Sequence, residues 1–270
     1  MHKLKAALRI YAVMCASAFT VSVHAQSPAA FDDGCIKGNF DRAVKVLPAE
    51  FCGNNWRDVL KAVQGLPMEK DKYESSAQHT ARIQKTLEKP LYAAVSGTGT
   101  LAIVRRLQPK YDADKGQYQL YVPNQMVPFL PYAGANDRYK TVLEIDSWNG
   151  ASSSYAGQNA YGATREITKK AEQTILLDST KTHLASSQHI NFRIPAADAK
   201  KLDGHVLAFL YIGKIAPPYF VMATESTTPT IDNPVERSIK HAIIGFANEE
   251  TWLFDVQTGQ ILSKKIKLTR

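Results

Sequence analysis

The chain has 270 residues, with 33 Lys and Arg against 25 Asp and Glu, a formal net charge of +8, and three Cys. At 44% hydrophobic and 21% charged residues it is not a mainly disordered chain, and three Cys cannot build a disulfide-dense mini-scaffold. The length allows one large domain or two small ones, and either can bury a real core.

Residues 1–25 read as a secretory signal peptide. Lys3, Lys5 and Arg9 come without an acid, Ile10 to Val23 is apolar, and Val23-His24-Ala25 ends in the pattern that precedes cleavage. The apolar run is shorter than the roughly 20 residues a spanning helix needs. Met14 before Cys15 argues against a lipoprotein signal. No later stretch is long and apolar enough to span, so the expected mature protein is soluble, periplasmic or secreted, with no transmembrane segment after signal removal. Three bases leave with the signal, so the mature chain carries 30 bases against 25 acids, or +5. Cys15 leaves too, and Cys35 and Cys52 remain. Two Cys in an exported chain pair naturally; the alternative is two reduced, buried thiols. A bridge between them closes a loop worth about 3 kcal/mol on the chain-entropy model.

Residues 26–90 are expected to form a helical N-terminal region that contains this disulfide. Asn54 or Asn55 caps a helix with Trp56, Val59, Leu60 and Val63 at helical spacing, stopped by Gly65 and Pro67. Ser75-x-x-Gln78 fits a capping box opening a second helix through Ala77, Ile83 and Leu87, which ends before Pro90. From Leu91 to the end, residues 91–270, the pattern changes to strands. Short β-branched or aromatic runs alternate with turn residues: 91–95, 101–107, 118–122, 141–145, 174–177, 190–194, 206–212, 219–222, 242–246, 252–256 and 261–266. Asp255 to Gly259 and Asp112 to Gly116 read as hairpin turns. Pro195 to Leu202 favours a helical turn or two, closed by Gly204. Helices first and strands afterwards predict an α+β fold, with an N-terminal helical segment packed on a mainly antiparallel β domain.

The run WNGASSSYAGQNAYGA, residues 148–163, stands apart. It has no charge and no apolar period, and it exceeds the usual loop length. Tyr, Ser, Gly and Asn are what binding loops favour. Trp148, Tyr155 and Tyr161 are therefore the candidate binding residues, against the plainer reading of a surface loop or long hairpin tip.

The chemical motifs are thin. Gly97-x-Gly99-x-x-Ala102 matches a lax dinucleotide fingerprint, but Ile103-Val104 and Pro109 deny it the helix that a pyrophosphate needs. Asp112-x-Asp114 fails an EF-hand loop at three positions. No metal ligand set and no cofactor motif is expected. Asp178, His183 and His189, with Ser186 or Ser187, are the residues a hydrolase would use, although no G-x-S-x-G elbow presents a nucleophile. The bases are diffuse and lack interleaved aromatics, so no nucleic-acid partner is expected.

Pro67 to Ser76, continuing to Thr80-Ala81-Arg82, resembles a segment of uncharacterised exported proteins of Gram-negative bacteria. There, an acidic-aromatic run leads into a capped helix with a late Arg. The stretches 194–213 and 252–262 are similar in flavour, so the match covers about a third of the chain. The resemblance implies export and a helix-then-β layout, and it carries no catalytic residue. The expected function is that of a non-enzymatic module that binds a protein or polymer of the bacterial envelope; the alternative is an envelope-directed hydrolase, and catalytic residues remain unassigned.

Overall fold

From Leu101 onward the chain is written in β-branched and aromatic residues, and the computed structural model gathers them into one sheet. It describes residues 31–32, 35–128, 139–179 and 187–268, so the signal segment and His183 lie outside the described residues. The N-terminal elements are β1 (Phe31–Asp32), β2 (Cys35–Ile36), β3 (Gly53–Asn54), α1 (Trp56–Gln64), α2 (Ser76–Glu88), β4 (Pro90–Tyr92) and β5 (Val95–Ser96). Then come β6 (Leu101–Arg106), β7 (Lys110–Asp112), β8 (Gln117–Pro128), β9 (Tyr139–Gln158), β10 (Thr164–Ser179) and β11 (Ser187–Arg193). The chain closes with α3 (Ala196–Lys201), β12 (Leu207–Thr227), β13 (Val235–Asp255) and β14 (Ile261–Ser263).

The sheet order is β1-β2-β3-β6-β12-β13-β10-β9-β8-β11, with β14 on β13 and β7 on β8, while β4 and β5 pair separately. Neighbours are antiparallel except β2–β3 and β10–β13. The second exception arises because the chain leaves β10, passes through β11, α3 and β12, and returns beside β10 as β13.

The expected α+β layout is corrected: the protein is mostly β and its sheet is mixed. The helix signals were local and locally accurate. Asn55 Oδ1 accepts from the Arg57 and Asp58 amides, and Ser75 and Gln78 form the reciprocal capping box. But α1 has 9 residues and α2 has 13, and the same stretch of chain sends β1, β2 and β3 into the sheet. Capping chemistry marks where a helix starts; it does not say whether the helices form a layer of their own.

Three apolar clusters hold the sheet. The main one joins Leu101 and Ile103 of β6, Leu120 of β8, Ile175 of β10 and Phe209 of β12, with Val59, Leu60 and Val63 of α1 and Ala199 of α3 set among them. The opposite face carries an aromatic cluster. Phe40 meets the Trp252 ring edge-on at 5.6 Å, and Phe51 meets Phe254 at 6.2 Å. A small third cluster, Val127, Val142, Leu176 and Ile243, lies further along that side.

Two glycines fix the approach of the N-terminal segment. Gly53 has φ +70°, and a Cβ there would lie 2.3 Å from the Ala102 carbonyl oxygen. Gly259 ends the expected Asp255–Gly259 turn at φ +70°, with a Cβ position 1.8 Å from Leu47 O. Only a residue without a side chain meets both demands. Between these points Cys35 and Cys52 are bonded, their Cα atoms 4.9 Å apart.

The strands run far beyond their predicted ends. β9 has 20 residues, β10 has 16, and β12 and β13 have 21 each. Of the plainer readings of 148–163, the long hairpin tip holds and the loop does not: Trp148 to Gln158 is the distal half of β9, and only 159–163 turns into β10.

Candidate functional site

The overlong strands form a blade. Thr174 lies in line with Ser147 of β9 on one side and with His241 of β13, then Ala223 of β12, on the other. Inward of this line β10 is buried from Thr174 to Leu177 and at Asp178; outward, from Thr164 to Gln173, it is exposed or half-buried. β9 is exposed from Asn149 to Ala156, and β12 stops being buried after Ala216. The blade is four strands wide out to the line of Ser152, Lys170, Arg237 and Thr227. The β9–β10 hairpin then continues, and Thr164–Ile167 pair only with Tyr155–Gln158. From Thr174 to Thr164 it reaches about 33 Å at 3.3 Å per residue.

An antiparallel sheet normally packs one face on a core. Here both faces of β9 and β10 are wet, and Ile239 of β13 is a lone buried side chain outward of the line, so something other than apolar burial must hold most of the blade. Part of it is charge pairing between neighbouring strands. Lys169 Nζ lies 3.2 Å from Glu236 Oε1, and Arg237 Nε donates to Glu172 Oε1 at 2.8 Å. The Tyr155 hydroxyl reaches from β9 across β10 and donates to Glu236 Oε2 at 2.9 Å. Those hydrogen bonds, from Tyr155 first and Lys169 second, hold the Glu236 carboxyl below its ordinary pKa, and the same bond raises the Tyr155 phenol. Arg165, Lys169, Lys170, Arg237 and Lys240 are balanced by Glu166, Glu172, Glu225, Asp232 and Glu236 on the same blade and its tip. The surface therefore presents no basic field.

The three aromatics are placed differently from one another. Trp148 is half-buried at the base, its ring 6.2 Å from that of Trp56 with a 27° tilt. The Arg57 guanidinium sits 5.1 Å and 5.4 Å from the two ring centroids and donates to Asp146 Oδ2 at 3.3 Å. Tyr155 shares the Trp148 face, since their partners Ile167 and Gln173 have the same parity on β10. Tyr161 stands in the turn and is 95% exposed. The geometry thus links Trp148 and Tyr155 along one face and leaves Tyr161 at the tip. Nothing in the sequence points to Lys169, Glu172, Glu236 and Arg237 as the side chains that tie the blade, because Glu236 and Arg237 are distant in sequence from the residues they answer.

Of the residues named for hydrolysis, the two described side chains, Asp178 and His189, are not gathered; His183, Ser186 and the Ser187 side chain lie outside the described residues. Asp178 is fully buried on β10 beside Gly245 of β13. His189 is exposed on β11, opposite Tyr121, whose ring it meets at 5.3 Å. β9 and β8 stand between β10 and β11, which alone separates the two residues by about 14 Å at strand spacing. Two other histidines have clear structural partners. His205 Nδ1 lies 2.8 Å from buried Asp255 Oδ2 at the last hairpin. His241 is buried at the base of the blade, its Nδ1 2.8 Å from Thr174 Oγ1 and its Nε2 3.6 Å from Glu225 Oε2. Burial pushes the His241 imidazole below its ordinary pKa, against the pull of Glu225. Among the described residues no three His, Cys, Asp or Glu side chains converge as a metal site. The Gly97–Ala102 run is a turn leading into strand β6.

No protein-family model, no curated protein and no solved structure matches the chain.

Proposed function

We propose that the chain is an exported, non-enzymatic binding protein of the bacterial envelope, and that the blade is its contact surface. The observation that carries this reading is the two-sided exposure of β9 and β10 beyond Thr174, with β12 and β13 part-exposed beside them. Extending four strands past the core gains little apolar burial and leaves large, regular surfaces open to contact. The face that bears Trp148 and Tyr155 offers an aromatic base, an anchored phenol and small Ser and Ala side chains, a composition suited to contact at low entropy cost. The balanced charge of the blade favours a protein or neutral polymer over a polyanion. Export rests on the signal pattern of residues 1–25, on the resemblance to exported Gram-negative proteins, and on the Cys35–Cys52 pair.

Two measurements test this. N-terminal sequencing of exported material should begin at Gln26; a start at Met1 removes the export reading. The purified mature chain, presented to sacculi and to solubilised envelope protein, should be retained. The double variant Tyr155→Ala, Tyr161→Ala should be retained less at equal folding. Equal retention of the two proteins would move the surface away from the blade, and no retention at low salt would end the binding reading.

A further inference from the structure

The blade has two free edges, and they are not equivalent. β12 is paired to β6 only from Ala208 to Gly213, so its distal half is open. That edge is blunted: Pro217 and Pro218 lack amide donors, the ladder shifts register between Ile215 and Phe220, Tyr219 has φ +65°, and Glu225 places a charge further out. β9 is paired to β8 only from Tyr139 to Leu143, so everything beyond is open as well. This edge is far less protected, with a single bulge near its base. From Ser147 to Ala163 it holds no charged residue and no proline. It bulges once, at Gly150–Ala151 opposite Ala171, and is regular from Ser152 to Gln158. Its side chains from Asn149 to Ala156 are exposed. Its end belongs to a two-stranded extension, which is marginal in water without a third strand.

We propose that the third strand is β9 of a second copy of this chain, paired antiparallel about a two-fold axis at Ser154, so that two blades form one continuous sheet. The charges flanking the edge select both the occupant and the register. Glu166 is opposite Ala156, and Lys170 is opposite Ser152, on the same face of β10. A two-fold at Ser154 sets Ala156 against Ser152 of the other copy, which brings Glu166 into line with Lys170 of the other copy, twice. The two β10 strands are then about 14 Å apart, and both side chains are long and exposed. Moving the axis to Tyr155 would instead align Arg165 with Lys169 of the other copy. The Ser154 register places each Tyr155 against a Ser153, so large meets small, and no like charges face each other on the paired strands. An edge of this length buries less than the ~1,600 Å² of a standard interface, so the dimer is concentration-dependent. It deepens the reading of the blade as the contact surface, but does not depend on what the envelope partner is.

Sedimentation of the mature chain over a concentration series should show a monomer–dimer equilibrium. Ser154→Lys puts two like charges opposite each other at the axis and should weaken the dimer roughly fivefold or more, with an unchanged melt. Ser154→Asp should do the same, and an equimolar mixture of the two should recover a heterodimer. Ser154→Cys introduces a free thiol at the axis and should oxidise to a covalent dimer, while Tyr161→Cys at the tip should not. A wild-type chain that stays monomeric overturns the proposal, including one that takes up an extended foreign peptide on this edge instead. Dimers indifferent to Ser154→Lys, or a Lys/Asp mixture that stays monomeric, overturn it too. Retention of Ser154→Lys on envelope material is scored separately: retained monomer keeps the binding function whatever sedimentation shows.

Discussion

The inner and outer halves of the same four strands are held by different forces. Inside the Thr174 line, β10, β12 and β13 are closed by side chains: Phe209, Leu210, Ile212, Ile243 and Trp252 are all essentially fully buried. Outside it, the strands continue with the same ladder but with Ser, Thr, Lys and Glu side chains, tied by Lys169–Glu236, Arg237–Glu172 and Tyr155–Glu236. Exposed ion pairs of this kind contribute little stability. The outer half is therefore carried by its continuity with the inner half. That makes it a surface whose side chains can change without unfolding the protein, which is a suitable property for a contact region.

Truncating one side chain in each half separates the two most clearly. Phe209→Ala empties a fully buried site and should cost about 3–5 kcal/mol in a urea melt. Substitutions at exposed Ser153 or Lys170 should leave the midpoint where it was. Equal losses in the two halves would refute the division. Amides of Thr164–Gln173 should also exchange with solvent faster than those of Thr174–Leu177 on the same strand. Next in size is the bridge that fastens β2 to β3. Reduction, or the double Cys35→Ser, Cys52→Ser variant, should cost about 3 kcal/mol, with tryptophan fluorescence following the loss. Gly259→Ala should cost about 2 kcal/mol or more, because the positive φ strains any side chain and the new Cβ meets Leu47 O. The same change at Gly204, also at positive φ but with open space around it, should cost less.

This division also explains what could be read from the sequence. Strand positions 101–107, 118–122, 174–177, 206–212 and 242–246 were legible because each crosses the core and carries an apolar pattern to match. The Asn55 cap, the Ser75–Gln78 box, the Asp255–Gly259 turn and the Cys35–Cys52 pair were legible because each is a local device or a matter of counting. The blade was not. Residues 148–158 and 164–173 have two wet faces, so they carry no period-two alternation, and their small polar side chains read as loop. Their strand state is imposed by neighbours distant in sequence, as when Lys170 pairs with both Ser152 and Arg237. The loop reading gives way to strand at Trp148 and Tyr155, while the hairpin-tip alternative fits the turn that carries Tyr161.

Smaller effects probe the line where the two halves meet. His241 sits on it, buried against Thr174, with Glu225 near its free nitrogen and Glu144 and Arg237 also acting on it. Unfolded, the imidazole titrates near 6.5; folded, burial keeps it lower. Between those two values the unfolded chain binds the proton and the folded chain does not. This group's contribution to stability is therefore complete above about pH 6.5 and declines as the pH falls below it. A series of melts from neutral to mildly acidic pH should show the decline, and His241→Gln should flatten it. An unchanged slope would mean that the buried imidazole is protonated with Glu225 as its partner. The smallest effect belongs to Tyr155→Phe. Tyr155 is exposed, so the melt should not move. The hydroxyl is, however, the largest of the influences that lower Glu236. Its removal leaves Lys169 alone to stabilise the carboxylate, and an NMR titration should find the Glu236 carboxyl shifted up toward its ordinary value. A titration identical to wild type would mean that Tyr155 does not span β10 in solution, and the proposed contact face would then lose its anchored phenol.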